Sequence, residues 1–380
     1  MPLPQPRNGQ RVLIKKRPIP FSFWPSRPAR AHRALQSVLF ARDAWLPIKR
    51  SIMKNCPKLR RPEALACLEQ AHDFFNAGMN ADVVSARPLA LYYGFMNLVK
   101  AYCLTFGTRA TFDQAQHGLT AQLAAGAKEL VGAFLTAFPS PPANNANNFD
   151  EFLKVYTRGP GLTANTTYQL PILLPQIVPG HRLWSQATKT GERFIQVHDI
   201  QFWHDPTTNT IWLRLYFVAD DLSRLSVTQQ KLLNEARLHT AFRAVACNDQ
   251  LDGRDLLCFE QIATHNYPVG YPADGMQPVI DSVRPLLWAT VSTVPPYRRY
   301  YVYMAPAADH AFVLPQLLSI YAIIYHLGSI TRYRPHQYDN IAAGQFGLWV
   351  QEFVNGQPLQ FLYLMASEFA AQEVTKPSIL

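Results

Sequence analysis

The chain of 380 residues is 48% hydrophobic and only 16% charged, which excludes intrinsic disorder and allows two domains, or one domain with a large insertion. Its five cysteines are scattered without a CxxC pair, which argues against a disulfide framework or a structural zinc site and predicts reduced thiols. Charge is distributed unevenly. Residues 1–61, here called the basic arm, hold 15 Lys and Arg against the single acid Asp43, so they carry +14, while residues 62–380 carry −4.

Residues 311–331 contain no Asp, Glu, Lys or Arg, as is typical of a membrane-spanning helix. They include Pro315, Gln316 and His326, which lipid tolerates poorly, so we expect a buried core helix over Leu314–Ile330. The N-terminal residues lack the apolar core of a secretory signal. We therefore expect a cytoplasmic protein that does not contact a membrane.

Three helices are predicted in residues 62–148, the first half of a helical bundle. The first begins at Pro62 and ends near Gly78. The second covers about 83–106, where apolar residues recur at helical spacing before Gly107. The third covers about 120–137, and the run PPANNANN after it predicts a loop.

The middle segment, residues 149–310, has a different pattern. Residues 193–203 and 210–218 are rich in β-branched and aromatic side chains, and the turn sequence between them predicts a β-hairpin. A helix is predicted over 229–243 and a strand over 299–304.

The last segment, residues 311–380, returns to helical patterns, with helices predicted near 314–330, 342–353 and 358–372. The predicted fold class is therefore α+β, mainly α: a helical bundle formed from both ends of the chain, with a β-containing insertion in the middle.

Three passages resemble a known family. They are residues 86–101 (ARPLALYYGFMNLVKA), residues 117–119 (HGL) and residues 330–336 (ITRYRPH). On these residues the chain resembles the YaaC-like family of prokaryotic proteins, although Tyr338 stands where the family pattern suggests tryptophan. The resemblance implies a mostly helical, HEPN-like bundle whose biochemical role is poorly established, and some related helical proteins accompany prokaryotic antiviral systems.

Four residues of these passages are candidates for a catalytic or anion-binding site: Arg87, His117, Arg332 and His336. Arginine and histidine side chains of this kind bind phosphate groups. The alternative is that they join helices by hydrogen bonds and cap the helix that ends before Pro335. Asn97 and Lys100 lie three residues apart in an otherwise apolar helix, and we expect both to be structural polar residues.

The basic arm interleaves cations with aromatic residues, a combination that binds the phosphates and bases of nucleic acids. The predicted binding residues are Lys15, Lys16, Arg17, Arg27, Arg30, Arg33, Lys49, Arg50, Arg60 and Arg61 of the arm, together with Arg334. The alternative is that the segments 21–24 and 35–46 pack onto the body and leave the charges solvated.

These observations predict a non-enzymatic subunit of a complex, which binds nucleic acid or an acidic protein partner through residues 1–61 in an antiviral defence context. The alternative is a HEPN-like, metal-independent ribonuclease with an atypical Arg/His site, since neither Arg332 with His336 nor Arg109 with His117 has the usual spacing. No phosphate loop, dinucleotide fingerprint or metal-ligand pair occurs in the sequence, so no cofactor and no metal are expected.

Overall fold

The computed structural model describes residues 2–14, 16–25, 38–80, 84–127, 130–142 and 145–378. Of these residues, 46% are helical and 21% lie in strands that form several sheets. The predicted fold class is therefore wrong in its architecture: strands are not confined to a middle insertion in a helical bundle but also occur near both ends of the chain. The fold is mixed α+β.

The helices and strands are numbered in chain order. The helices are α1 (Trp45–Asn55), α2 (Arg61–Met79), α3 (Arg87–Phe106), α4 (Asn148–Thr157), α5 (Leu170–Leu173), α6 (His181–Thr188), α7 (Ala219–Arg224), α8 (Gln229–Glu235), α9 (Met276–Val283), α10 (Gln316–Tyr333), α11 (Pro335–Ala343) and α12 (Gly347–Ala370). The strands are β1 (Gln10–Arg11), β2 (Leu13–Ile14), β3 (Arg17–Pro18), β4 (Val38–Phe40), β5 (Leu119–Leu123), β6 (Ala133–Ala137), β7 (Thr166–Gln169), β8 (Phe194–Val197), β9 (Asp199–Asp205), β10 (Thr210–Val218), β11 (Phe242–Val245), β12 (Gln250–Leu251), β13 (Arg254–Gln261), β14 (His265–Asn266), β15 (Trp288–Val291), β16 (Arg298–Tyr303) and β17 (Glu373–Thr375).

The chain divides into two compact units. The sheet unit consists of Met1–Phe40, Gly191–Ala311 and Ala371–Leu380, and the helical unit consists of Ala41–Thr190 and Phe312–Ala370. The basic arm is thus shared between them, with residues 1–40 in the sheet unit and residues 41–61 in the helical unit.

Helix α3 is the centre of the helical unit, and most of its residues are buried. It packs against α2 on one side and α10 on another. The close approach of α2 requires Gly94, because a Cβ there would lie 3.1 Å from the backbone nitrogen of Phe75 and 3.3 Å from the carbonyl oxygen of Ala71. The neighbouring Phe95 stacks on Phe361 of α12, with ring centroids 4.0 Å apart. The predicted helices over 62–78, 83–106 and 314–330 are confirmed, with α3 beginning at Arg87 because Pro88 suits a first helical turn.

The helix predicted over 120–137 is wrong. This segment forms the antiparallel strands β5 and β6, and β7 adds a third strand to the sheet. Alternate residues of β6 are buried, which is the pattern of a half-buried strand, and Gly126 takes a left-handed conformation in the turn (φ +77°). The alanine-rich composition favours a helix, but burial of one strand face outweighs that local preference.

Two predictions near the end of the chain also change. The helices predicted over 342–353 and 358–372 are one helix, α12, which continues through the buried Pro358. Proline removes a single backbone donor, and burial of Phe353 and Val354 before it and of Phe361 and Leu362 after it keeps the helix continuous. The helix predicted over 229–243 ends at Glu235, and residues 242–245 form β11 instead.

The core of the helical unit contains a histidine without hydrogen bonds. His326 of α10 is 1% exposed, and neither ring nitrogen has a partner among the described residues. Burial, together with the charge of the nearby Arg334, lowers its pKa from 6.5 to about 3. The imidazole is therefore neutral over the whole range in which an exposed histidine titrates.

The sheet unit is built on an antiparallel sheet of order β1-β9-β10-β13-β11. The predicted hairpin is confirmed as β9 and β10, in which Trp203 is paired with Trp212. The predicted strand over 299–304 is also confirmed, as β16, which lies between β15 and β8. Strand β4 pairs in parallel with β17, so the segment 38–40 is part of a sheet.

The N-terminal segment crosses this sheet and is not a solvated tail. The carbonyl of Pro4 accepts a hydrogen bond from Ala246 at 2.9 Å, and β1 pairs with the edge of β9. Farther along, the rings of Phe21 and Phe23 pack against each other, and each also packs against the ring of Tyr300. The packing alternative is confirmed for the residues 21–24.

A buried carboxylate lies under the N-terminal segment. Glu260 is fully buried and accepts hydrogen bonds from Arg214 Nε at 3.1 Å and Arg243 Nη2 at 3.0 Å. The backbone N–H of Arg7 donates to Glu260 Oε2 at 3.0 Å. The side-chain Nε of Arg7 lies 3.9 Å from Glu260 Oε1. Burial lowers the pKa of the Arg7 guanidinium, although Glu260 acts in the opposite direction. These arginines are therefore part of the internal architecture of the sheet unit.

Candidate anion-binding surfaces of the helical unit

Helix α1 turns one face to the core and the other to solvent. Ile48, Ser51 and Ile52 are buried, and the Ser51 hydroxyl donates a hydrogen bond to the carbonyl of Phe369 in α12. Trp45 packs edge-on against Phe75 of α2, with ring centroids 5.5 Å apart. These contacts place the remaining side chains of the helix on the surface.

The exposed side of α1 is strongly cationic. Its cations, together with those of the adjoining turns, are called the α1 basic face: Arg42, Lys49, Arg50, Lys54 and Lys58. In the described part of the chain none of these five forms an ion pair. The side chains of Leu46 (63% exposed), Met53 (48%) and Leu59 (97%) lie on the same helix and turn.

The other predicted binding residues of the arm have different surroundings. Arg60 Nη1 donates to the carbonyls of Gly107 at 2.8 Å and Arg109 at 2.9 Å, and Arg61 Nη2 donates to the carbonyl of Cys56 at 3.0 Å. Lys16 and Arg17 are exposed at the turn between β2 and β3. The predicted binding residues Lys15, Arg27, Arg30 and Arg33 lie outside the described residues.

The His-Gly-Leu run has a clear structural cause. The carbonyl of His117 accepts a hydrogen bond from the N–H of Phe149 at 3.3 Å, which fixes the run at the start of α4. Gly118 is left-handed (φ +73°), and a Cβ there would lie 2.8 Å from the Asn147 Cβ, so only glycine fits. Leu119 then begins β5, and its carbonyl accepts a hydrogen bond from the hydroxyl of Tyr325.

This turn borders a cleft of about 510 Å³, large enough for a small ligand. The residues that line it include Gln116, His117, Thr120, Phe138 and Asn147. The imidazole of His117 thus contributes to the wall of the cleft while remaining half-buried.

His117 is held by tyrosines and faces cations. The hydroxyl of Tyr92 bonds to His117 Nδ1, and the rings of Tyr92 and Tyr325 lie 5.4 and 5.8 Å from the imidazole. Burial lowers the pKa of His117, and Arg332 and Lys100 lower it further, because both cations are within electrostatic range of the ring. His117 is therefore neutral at pH 7.

Arg332 and Lys100 form no direct ion pair within the described part of the chain. Arg332 Nη1 donates to the hydroxyl of Tyr93 at 3.0 Å, and Lys100 is half-buried on the helix that carries Tyr92. The charges of Arg332, another predicted site residue, and of Lys100, expected to be structural, thus influence His117, although no described contact joins either cation to the ring.

The remaining predicted site residues lie in other surroundings. The guanidinium of Arg87 donates to the side chain of Asn355 and to the carbonyl of Asn80. His336 is exposed on α11, and Arg334 separates α10 from α11. Asn97 is buried in α3. No described contact joins Arg87 or His336 to His117.

Sequence reasoning missed the tyrosines of this site. Tyr92, Met96 and Lys100 recur every four residues, and Tyr321 and Tyr325 have the same spacing in α10, so each set lies along one helix stripe. That spacing could have identified them. It could not show that the two stripes meet at His117, because the meeting depends on tertiary packing.

The fold defines a two-unit α+β protein whose helical unit carries unpaired cations. The chain belongs to the YaaC-like family, since the family described as YaaC-like Protein matches residues 30–369. The match includes α1, so the α1 basic face lies within the family region. Neither the curated proteins nor the solved structures give a match to the chain.

The described residues also bear on membrane spans and metal sites. They contain no helix with both the length and the apolar character needed to cross a membrane. They also contain no cluster of three or more His, Cys, Asp or Glu side chains arranged to hold a metal ion.

Proposed function

We propose that this protein is a non-enzymatic subunit that binds nucleic acid through the α1 basic face. The observation that supports the proposal is the group of five exposed cations without ion pairs on one short helix and its flanking turns. An acidic protein surface is the competing partner. The HEPN-like relation and the antiviral context remain predictions from the resemblance.

The dimensions of α1 suit a polyanion. A helix of 11 residues is about 16 Å long, which spans about five base-pair steps. Lysine and arginine contacts to phosphate release condensed counterions, so the affinity of such a surface falls steeply with salt. Asp43 is the one acid of the arm. Its carboxylate accepts a hydrogen bond at 2.8 Å from the N–H of Trp45, the first residue of α1.

Fluorescence anisotropy with labelled RNA and DNA over a range of salt concentrations tests the proposal. We expect the triple variant Lys49→Glu, Arg50→Glu, Lys54→Glu to bind at least about tenfold more weakly and to have a salt slope lower by about 2–3. The matched control changes Lys189, Arg254 and Lys376, which are exposed elsewhere, to glutamate.

Equal loss of affinity in the two triple variants would show that net charge alone governs binding, which contradicts the proposal. Binding to an acidic protein but not to nucleic acid would establish the competing partner. Point variants are required because deletion of residues 1–61 would remove β1, β4 and α1, and loss of binding would then report a disrupted fold.

A second candidate function is a ribonuclease, favoured by the electrostatic influence of Arg332 on His117. RNA cleavage that survives purification and is abolished by His117→Ala, but not by His336→Ala, would support it over the non-enzymatic role. Intact RNA after prolonged incubation with the bound protein is the outcome expected from our proposal.

A further inference from the structure

Three helices of the helical unit bring aromatic rings and an arginine together on the surface. Phe74 of α2 lies beside Tyr93 of α3, with ring centroids 5.3 Å apart. The hydroxyl of Tyr93 accepts a hydrogen bond from Arg332 Nη1 of α10 at 3.0 Å. The guanidinium carbon of Arg332 lies 4.9 Å from the ring centroid of Tyr333. These four side chains, here called the aromatic surface, therefore form one continuous set of contacts across α2, α3 and α10.

The rings of the aromatic surface are open to solvent. Tyr333 is 67% exposed and Phe74 is 38% exposed, while Tyr93 is half-buried. Helices α2 and α3 fill the core with the adjacent aromatic residues instead, because Phe75 is only 5% exposed and Tyr92 only 3%. Packing of the core therefore does not account for the exposed rings, and exposed apolar surface of this kind marks a binding site.

Two glycines fix the helices that carry the aromatic surface. Gly94 allows the backbones of α2 and α3 to meet beside Tyr93. A Cβ at Gly328 would lie 3.0 Å from the Tyr92 Cβ and 3.2 Å from the carbonyl oxygen of Pro88, so α10 also packs closely on α3. Arg332 follows Gly328 by four residues and lies on the same side of α10. The rings are therefore held in place before any ligand arrives, which lowers the entropy cost of binding.

Exposed rings beside an arginine suit a strand with unpaired bases. Every base has a flat π face that stacks on aromatic side chains, and arginine both stacks and binds the phosphates between bases. Arg332 forms no ion pair within the described part of the chain, so no described carboxylate competes with a phosphate for it. In a duplex the bases stack on each other and offer only their edges in the grooves, which gives exposed rings nothing to stack on.

We propose that the aromatic surface binds single-stranded nucleic acid, with bases stacked on Tyr333 and Phe74 and a phosphate held by Arg332. The inference rests on the proposed function, because it specifies which form of nucleic acid the protein selects. It uses different residues from the α1 basic face, which binds phosphates of either form.

Fluorescence anisotropy with three labelled probes tests this selectivity: a single strand, the same sequence as a blunt duplex, and a strand of equal length with abasic sites. We expect the single strand to bind more tightly than the other two probes. Tyr333→Ala should weaken single-strand binding about fivefold or more and leave duplex and abasic binding unchanged. Tyr333→Phe keeps the ring and should bind like the wild type. Tyr271→Ala, which removes a 54% exposed ring of the sheet unit, is the matched control.

The probes separate this inference from the proposed function. Charge reversal on the α1 basic face should weaken binding of all three probes and lower the salt slope, whereas loss of a ring should act only where bases are unpaired. Equal affinity of the wild type for the three probes, or unchanged single-strand affinity in Tyr333→Ala and Phe74→Ala, overturns the aromatic surface while the proposed function stands. Ring variants that reduce single-strand binding while the charge-reversal variant binds normally support the aromatic surface and overturn the role of α1. Binding of an acidic protein with no binding of any probe overturns both.

Discussion

Two groups of cations in this protein, one in each unit, have opposite surroundings. In the sheet unit, Arg7, Arg214 and Arg243 surround one buried carboxylate, and the N-terminal backbone completes its hydrogen bonds. In the helical unit, the α1 basic face and the pair Arg332 and Lys100 have no described carboxylate partner. Side chains of the same chemical type therefore stabilise the fold in the group around Glu260 and are available to bind in the α1 basic face.

This difference shows how charge should be assessed in an uncharacterised chain. Net charge located the first 61 residues, yet some of their arginines bond to backbone carbonyls or to Glu260. Counting hydrogen-bond partners separates the cations that a fold requires from those that are available to a ligand. The distinction leads to predictions about stability that differ between the units.

The largest effect should come from the buried carboxylate. Glu260→Gln should lower the free energy of unfolding by about 3–5 kcal/mol, because three arginines would lose their shared negative charge in a buried setting. Urea denaturation followed by circular dichroism measures the change. Asp199→Asn, which removes a half-exposed partner of Arg11, should cost no more than about 1 kcal/mol and is the control. Equal losses would contradict the assignment of Glu260 as the organising charge.

A second effect, which grows as the pH falls, should come from His326. The unfolded chain protonates His326 below about pH 6.5, whereas the folded chain resists protonation down to about pH 3. Stability should therefore fall with decreasing pH in this window, by about 1.4 kcal/mol per pH unit for this group.

Comparison with His326→Leu isolates this contribution. The variant should be at least as stable as the wild type at pH 7, since it removes unsatisfied polar atoms, and its advantage should grow as the pH falls from 6.5 toward 4. His336→Gln, at an exposed position, is the control for the loss of a histidine. Parallel stability curves for His326→Leu and the wild type would refute the buried, neutral state.

The smallest effect should come from the α1 basic face. Lys49→Gln with Lys54→Gln should change the free energy of unfolding by less than about 0.5 kcal/mol, because neither side chain has a described partner to lose. Thermal and urea denaturation measure this change beside nucleic-acid affinity. A large loss of stability would show that these lysines support the fold, and the contrast between the units would then disappear.

The sequence predicts the elements that depend on local pattern. The apolar stripe of α3, the hairpin of β9 and β10, and the apolar α10 are all visible as periodicities. The strands β5 and β6 were mistaken for a helix because their alanines favour helix locally, and only the neighbouring β7 and the buried face decide otherwise. Long-range pairing of this kind leaves little trace in a single sequence.

The candidate sites also combine features that are visible in the sequence with features that depend on long-range packing. His117 and Arg332 stood out because they lie in family-like motifs, but their association with Lys100 depends on packing of α3 against α10. The charge of the arm was evident, whereas the role of Arg7 was not, because its partner Glu260 lies 253 residues away. Composition cannot reveal such a partner.

That separation has a consequence for synthesis. Strand β1 has no partner before β9 is made, and Arg7 has none before residue 260 is made. Both units also need segments near residue 370, because α12 of the helical unit ends at Ala370 and β17 of the sheet unit begins at Glu373. Neither unit can close before those segments are synthesised, so the nascent chain exposes unpaired strand edges and apolar helix faces until then.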